Sequence, residues 1–345
     1  MKKNQQHYVA VIGGSVSGSE AAIQLAEKGF KVVVFDQMSL PYGKIEDGLP
    51  KWHAKLRDKE ELAIDKKLQH RNVTFVPDMQ LGKDIDFNDM VNNWGFSVVL
   101  LATGAWRDRP LPIKGIDKFI GKGLLYQNKF IKWFNHCHEA GYTGPHFNLP
   151  DGAAVIGGGL ASIDVIKIIQ IKNVQGKLLE HGIREDLFTM ERGIDKVLDK
   201  HNLTMKDLGL KGATLFYRKT SYDMPLKPFS KPEQREKARE VSNKMLNITL
   251  RKYLFNFEPL SIPVGYIEEN DFLKGIVFQK VEEKNGRFNP VKGSEFEYHT
   301  DLVVSSIGSL PKSISGLPFK GDLLDATGPG GCRIKGYDNV FALGN

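Results

Sequence analysis

The feature that most constrains this chain is a repeat. The run Val9-Ala10-Val11-Ile12-Gly13-Gly14-Ser15-Val16-Ser17-Gly18 is echoed 144 positions later by Ala153-Ala154-Val155-Ile156-Gly157-Gly158-Gly159-Leu160-Ala161-Ser162. Each copy is a short β-branched run, then a glycine-rich turn, then a helical pattern. A strand that turns on glycines into a helix aims backbone N–H groups, and the positive end of the helix, at a pyrophosphate. One such motif is weak evidence; two in the same context point to two dinucleotides on one chain. The first copy carries Ser15 where the fingerprint has its second glycine. Serine is small enough to let a phosphate approach, and its hydroxyl is expected to donate to it. The candidate phosphate-binding residues are therefore Gly13, Gly14, Ser15, Ser17 and Gly18 in the first copy. In the second they are Gly157, Gly158, Gly159, Leu160, Ala161 and Ser162.

The two turns lead to different strand ends. After the first, a buried strand Phe30–Asp36 ends in an acid eighteen residues past Gly18. A carboxylate there accepts hydrogen bonds from a ribose diol and repels a 2′-phosphate, which suits the adenosine of FAD. After the second, the next strand, Ala213–Tyr217, runs into Arg218 and Lys219 with no acid. Two cations at that place pair with a 2′-phosphate, so NADPH is expected over NADH.

The rest of the pattern fits two such units. Helices are expected at Ser19–Gly29, Ala54–Leu68 and Leu160–Ile171, and strands at Val73–Val76 and Ser97–Leu101, the latter running into Ala102-Thr103-Gly104. A charged helical stretch, Asn173–Gly209, with a capping box at Thr204-Met205-Lys206-Asp207, delays the strand before Arg218. A β-rich region covers Ile262–Gln279, and a last strand runs into Ile307-Gly308. Strands alternating with helices give an α/β chain of two Rossmann-like dinucleotide-binding domains, with doubly wound parallel sheets and β-rich connections. The 345 residues are enough for two buried cores. The expected division is an FAD-binding domain of residues 1–110 and 300–345 and an NADP-binding domain of 111–299.

Composition removes several function classes. The two cysteines, Cys137 and Cys332, form no C-x-x-C pair, which argues against a cysteine zinc site and against a redox-active disulfide of the thioredoxin-reductase sort. No metal site is expected, and electrons must travel on cofactors. A net charge of +7 accommodates phosphate-rich cofactors or an acidic protein partner. No dense Lys/Arg block interleaved with aromatics marks a nucleic-acid surface. No apolar run approaches the roughly 18 residues of a membrane span, and Met1–His7 leads into no signal-peptide core. A cytoplasmic location is expected.

Several of these pieces together resemble a known family. Gly13 to Gly18, Leu101-Ala102-Thr103-Gly104-Ala105, Val155 to Gly159 with Asp164, and Val304-Ser305-Ser306-Ile307-Gly308 resemble the adrenodoxin-type ferredoxin–NADP reductases. They resemble equally the NADPH-dependent small subunit of glutamate synthase. Phe216 to Lys219 followed by Met224-Pro225, and Gly48 to His53, lie nearer the glutamate synthase branch. Residues 176–208 and Lys132 to Asn135 lie nearer the other.

The resemblance implies FAD held by the first domain and a C-terminal return segment, with NADPH passing hydride to the flavin. It adds Thr103, Gly104, Gly308, Gly344 and Asn345 to the cofactor-binding candidates. It also implies a ferredoxin-like iron–sulfur acceptor. The alternatives are an electron-input subunit of a glutamate synthase-type complex or a nucleotide-binding module without turnover. Asp164 matches an acid on the second motif's helix in both branches, and His53 lies one residue out of register with a histidine of the adrenodoxin branch. These two are the catalytic candidates. The ending Tyr337–Asn345 resembles the strand and turn that deliver a late helix to the flavin, a helix absent from these 345 residues, so weak FAD binding is expected of them.

Overall fold

A computed structural model describes residues 6–284 and 287–344. The chain divides into two compact units, one running to Arg107 and resuming at Ser309, the other Asp108–Gly308.

In the first unit, strand β1 (Tyr8–Ile12) lies between β2 (Lys31–Phe35) and β4 (Val98–Leu101), and β3 (Val73–Val76) lies outside β2, all parallel. Beyond β4 the sheet continues with Val340–Ala342, parallel to it, then Arg333–Ile334 and Ala326–Thr327. The sequence reason is burial on both faces: Val9, Ala10, Val11 and Ile12 are each at most 4% exposed, so the strand reads as an unbroken apolar run. Val9 and Val11 pack with Val32, Val34, Ala22 and Ala26 on one side. Ala10 and Ile12 pack with Phe87, Met90 and Val340 on the other. Helix α1 (Val16–Glu27) starts three residues earlier than expected, because Ser15 is already its extended N-cap. It ends before Gly29, which has φ +90°.

The second unit repeats the plan. Strands β5 (Leu124–Tyr126), β6 (Ala154–Gly157), β7 (Thr214–Phe216), β8 (Asn256–Glu258) and β9 (Val303–Ser306) form a parallel sheet in the order β5-β9-β6-β7-β8. Helix α2 (Leu160–Glu180) follows β6 and runs nine residues past the expected Ile171, since Val174 and Leu178 carry its buried stripe onward. A three-stranded antiparallel sheet, Ser261–Glu269, Phe272–Lys284 and Arg287–His299, packs Ile276 and Phe278 into the core with Phe216 and Val303.

Two expectations change. Residues 300–308 do not go with the first unit: β9 sits between β5 and β6, and its fully buried Val303 belongs to that core. The helical stretch expected at 173–209 comes in pieces and ends at Lys200. After α2 come Leu187–Arg192 and Ile194–Lys200, split at Gly193. The Thr204–Asp207 box forms its reciprocal bonds, Thr204 N–H to Asp207 Oδ2 at 2.9 Å and Asp207 N–H to Thr204 Oγ1 at 3.2 Å, but caps a turn. Gly209, at φ +67°, follows that turn, and no helix grows from it.

Candidate functional site

The first glycine turn is built around a close approach. A Cβ at Gly18 would lie 1.7 Å from the carbonyl oxygen of Gly13, so the first turn of α1 rests on the end of β1 with no room for a side chain. At the end of β2, Asp36 accepts the Gly14 N–H on Oδ2 at 2.7 Å and the Met38 N–H on Oδ1 at 2.9 Å. It is 6% exposed, and burial raises its pKa above the usual carboxylate range, while the two amide donors pull it back. A carboxylate offers about four acceptor positions and two are used; ribose hydroxyls can take the others.

A cavity of about 270 Å³ opens here, lined among others by Gly13, Ser15, Ser17, Asp36, Thr103 and Gly104. The return segment joins them, for a Cβ at Gly344 would lie 2.9 Å from Ser17 Oγ. Six sequence candidates thus line one cavity, with Gly344 against Ser17. Gly14 bonds Asp36 and Gly18 packs on Gly13. Asn345 lies outside the described residues.

Ser15 departs from expectation. Its hydroxyl donates to the carbonyl oxygen of Tyr42 at 3.0 Å, so it ties the loop after β2 to the turn and does not point its donor at a phosphate. The residues that the sequence reading missed are Gly43 and Lys44 on that loop, with Trp106 and Lys312, all of which line the cavity. They sit outside the repeat, so no motif marked them.

In the second unit, Gly157, Gly158 and Gly159 connect β6 to α2, and Leu160, Ala161 and Ser162 make the helix's first turn. Ser162 Oγ donates to the Gly159 carbonyl at 2.6 Å. A Cβ at Gly158 would lie 2.1 Å from the ring of Tyr217, which covers the turn. Tyr217 is the residue after β7, 9% exposed, and its hydroxyl donates to the Asp223 carbonyl at 2.7 Å. Its pKa is pushed up to about 12, chiefly by burial. Beyond it Arg218 is exposed, and the Lys219 ammonium lies 5.3 Å from the centroid of the Phe288 ring. The sequence reading counted Tyr217 only as the end of a strand.

The two catalytic candidates fall in different units. His53 ends a short 3-10 segment, Lys51–His53, in the first. Asp164 lies one turn into α2 in the second, its carboxylate 3.9 Å from Lys167 Nζ, which is itself 3.0 Å from Glu191. Gly308, expected beside the flavin, is the last residue of the second unit, at φ +108°, with its carbonyl accepting the Arg109 N–H. Among the described residues, no cluster of His, Cys, Asp or Glu could hold a metal ion, and no helix is long and apolar enough to cross a membrane.

The chain is similar to several known proteins. The chain is 24% identical over 322 residues to the NADPH-Fe(3+) oxidoreductase subunit beta of Geobacter sulfurreducens, covering 90% of this chain and 38% of that one. It is 26% identical over 180 residues to cindoxin reductase of Citrobacter braakii, covering 49% and 37%. It therefore spans less than two fifths of the length of either relative. Among solved structures it shares its fold with FprA of Mycobacterium tuberculosis in complex with NADPH, at TM-score 0.71 and 20% identity, covering 99% of this chain and 79% of that one. The pyridine nucleotide-disulphide oxidoreductase description matches residues 7–206, more than half of the chain. The chain belongs to the pyridine nucleotide-disulphide oxidoreductase family, which binds FAD and NAD(P).

Proposed function

We propose that this chain is an NADPH-dependent flavin oxidoreductase that receives hydride from NADPH on FAD and passes electrons to a ferredoxin-like iron–sulfur protein. The observation that carries the reading is the contrast at the two strand ends: a buried acid, Asp36, on the wall of the first cavity, and the Arg218-Lys219 pair after the second turn. In this reading the first unit holds FAD and the second holds NADPH. Bound FAD supplies the redox chemistry, accepting two electrons as hydride and releasing them singly. The protein's part is to bind and orient. Asp36 takes the adenosine ribose of FAD, the N-terminal ends of α1 and α2 face the two pyrophosphates, and Arg218 and Lys219 select the 2′-phosphate. His53 and Asp164 enter as candidate catalytic groups. They are tested by whether His53→Gln and Asp164→Asn slow flavin reduction without weakening NADPH binding.

The acceptor rests on the net charge of +7 and on a relative whose name pairs NADPH with iron. Purified protein should show flavin absorption bands that bleach anaerobically with NADPH far faster than with NADH. Electron transfer to an acidic ferredoxin should then fall steeply as salt rises, since steering between exposed charges is screened over about 10 Å at 0.1 M. Reduction of a small neutral dye should barely respond. A flat visible spectrum that added FAD does not change would defeat the flavin reading, and equal salt dependence for both acceptors would defeat the acidic partner.

A further inference from the structure

The basic strand end of the second unit carries an acid within its own loop. Tyr217, Arg218, Lys219 and Thr220 lead into a 3-10 turn, Ser221–Asp223. The loop closes back on its start: the Tyr217 hydroxyl donates to the Asp223 carbonyl at 2.7 Å, and the Asp223 N–H donates to the Thr220 carbonyl at 3.0 Å. Asp223 therefore stands at the hydroxyl end of the ring that covers the glycine turn. A negative charge in this loop opposes a 2′-phosphate and competes with it for Arg218 and Lys219.

The carboxylate is committed elsewhere. Asp223 Oδ2 accepts the Thr220 hydroxyl at 2.5 Å, and Oδ1 lies 3.2 Å from Nη2 of Arg239, on the helix Arg235–Tyr253. The Asp223 side chain is 14% exposed and that of Arg239 33%, with Arg239 Nε shut off from solvent, so water and salt screen the pair only in part. The second acid beside Arg239, Glu236 at 3.4 Å, is on the same helix and exposed. The path of the loop is fixed without the pair. On one side the Tyr217 N–H donates to the Glu258 carbonyl at 3.0 Å and the Leu260 N–H to the Lys219 carbonyl at 3.2 Å. On the other, Met224 and Leu226 are buried and the Lys227 N–H donates to Ser242 Oγ at 3.0 Å. What is left to Arg239 is the charge and the orientation of the Asp223 carboxylate.

We propose that Arg239 is a positioning residue for cofactor choice: its guanidinium neutralises Asp223 and holds that carboxylate toward the helix, leaving Arg218 and Lys219 to the 2′-phosphate of NADPH. Selectivity at the second turn then depends on a cation that touches no cofactor. The loop can keep an acid that closes it onto Tyr217 because the helix supplies the counter-charge. The proposal rests on NADPH occupying the second turn.

The test titrates the full chain with NADP⁺ and with NAD⁺ by calorimetry, so that no turnover is needed. Arg239→Met leaves Asp223 without its cation and should raise the Kd for NADP⁺ about tenfold, the order expected of one like charge near a partly exposed site. The Kd for NAD⁺, which has no 2′-phosphate, should stay within about twofold, since nothing there meets the orphaned acid. Adding Asp223→Asn removes that charge and should bring the NADP⁺ Kd back to within about threefold of the unaltered protein. Arg239→Lys keeps the charge and should also bind within about threefold. An unchanged NADP⁺ Kd in Arg239→Met overturns the proposal. So do equal losses for the two cofactors, which would make the pair a support of the loop and nothing more. So does a double variant that melts with the unaltered protein yet binds NADP⁺ no better than Arg239→Met. If the unaltered chain binds NADP⁺ no more tightly than NAD⁺, the reading of Arg218 and Lys219 fails first, a result distinct from the other three, and the proposal falls with it.

Discussion

At the first glycine turn the next strand ends in a buried acid that the turn's own amide holds; at the second it ends in a tyrosine ring laid on the glycine, with cations beyond. The same strand–turn–helix geometry therefore carries opposite charges to the place where an adenosine ribose would lie. The phosphate end of such a site is read by backbone and the ribose end by side chains. Backbone geometry recurs, and side chains diverge. The steric neighbours diverge too: Gly18 faces backbone, Gly158 faces a side-chain ring.

That steric difference gives the largest predicted contrast. Gly18→Ala puts a methyl group 1.7 Å from a carbonyl that cannot retreat without moving β1. We expect a loss of about 3 kcal/mol or more in stability, together with loss of FAD binding. Gly158→Ala meets the Tyr217 ring, a side chain and not backbone, and should cost less, about 1–2 kcal/mol. Adding Tyr217→Ala should recover part of the clash in the second case. Denaturant melts and flavin content of the three variants check it, and equal losses at the two glycines would break the distinction between the turns.

Next in size is the acid. Asp36 in the ionised form accepts two amide bonds, and Asp36→Asn presents an NH₂ to one of those donors, so FAD affinity should fall at least tenfold. Burial raises its pKa, so in the flavin-free protein the proton arrives above the usual carboxylate range as pH is lowered. The ionised form is the one that binds a diol, so FAD affinity should weaken as pH falls through that raised value and level off above it. Asp36→Asn should flatten the profile. A Kd that is equally pH-dependent in the variant would assign the titration to another group.

The second turn is tested by cofactor choice. NADPH should be preferred over NADH by about 10²-fold, on the order of 2.7 kcal/mol. Arg218→Ala should lower kcat/KM for NADPH about tenfold, mostly through KM, because the 2′-phosphate is remote from the hydride and contributes uniform binding. NADH turnover should hardly change. Equal loss with both cofactors would show that Arg218 holds structure and reads no phosphate.

The repeat made the fold legible because its signals are local: β-branched runs buried on both faces, then glycines, then an apolar helix stripe. Asp36, Arg218 and Lys219 were legible for the same reason, since they stand at fixed offsets from strands. Lys44, Gly43, Trp106 and Tyr217 were not. They reach the two turns through loops whose path depends on contacts such as Ser15 with Tyr42, and no offset encodes that. The placement of β9 was missed because its run of buried valines fits either sheet equally well. Only pairing with β5 and β6 decides it.

The smallest predicted effect is at Lys219, and it tests how completely the charge contrast between the turns is realised. Its ammonium already has a neighbour in the structure, the face of Phe288 at 5.3 Å. Such a contact at a partly exposed site is worth about 0.5–1 kcal/mol. Moving the ammonium onto a 2′-phosphate gives up that contact, and a single ammonium lacks the planar fork of a guanidinium. Lys219→Ala should therefore raise KM for NADPH only about threefold, on the order of 0.7 kcal/mol, against about tenfold for Arg218→Ala. Phe288→Leu removes the competing ring and keeps the cation, so it should lower KM for NADPH slightly and leave NADH unaffected. Combined with Lys219→Ala, it should have no further effect, because the ring then has no cation to hold. If Phe288→Leu instead raises KM for both cofactors alike, the ring packs the site itself and the Lys219 contact is incidental. Arg218 would then be the sole reader of the phosphate at the second turn.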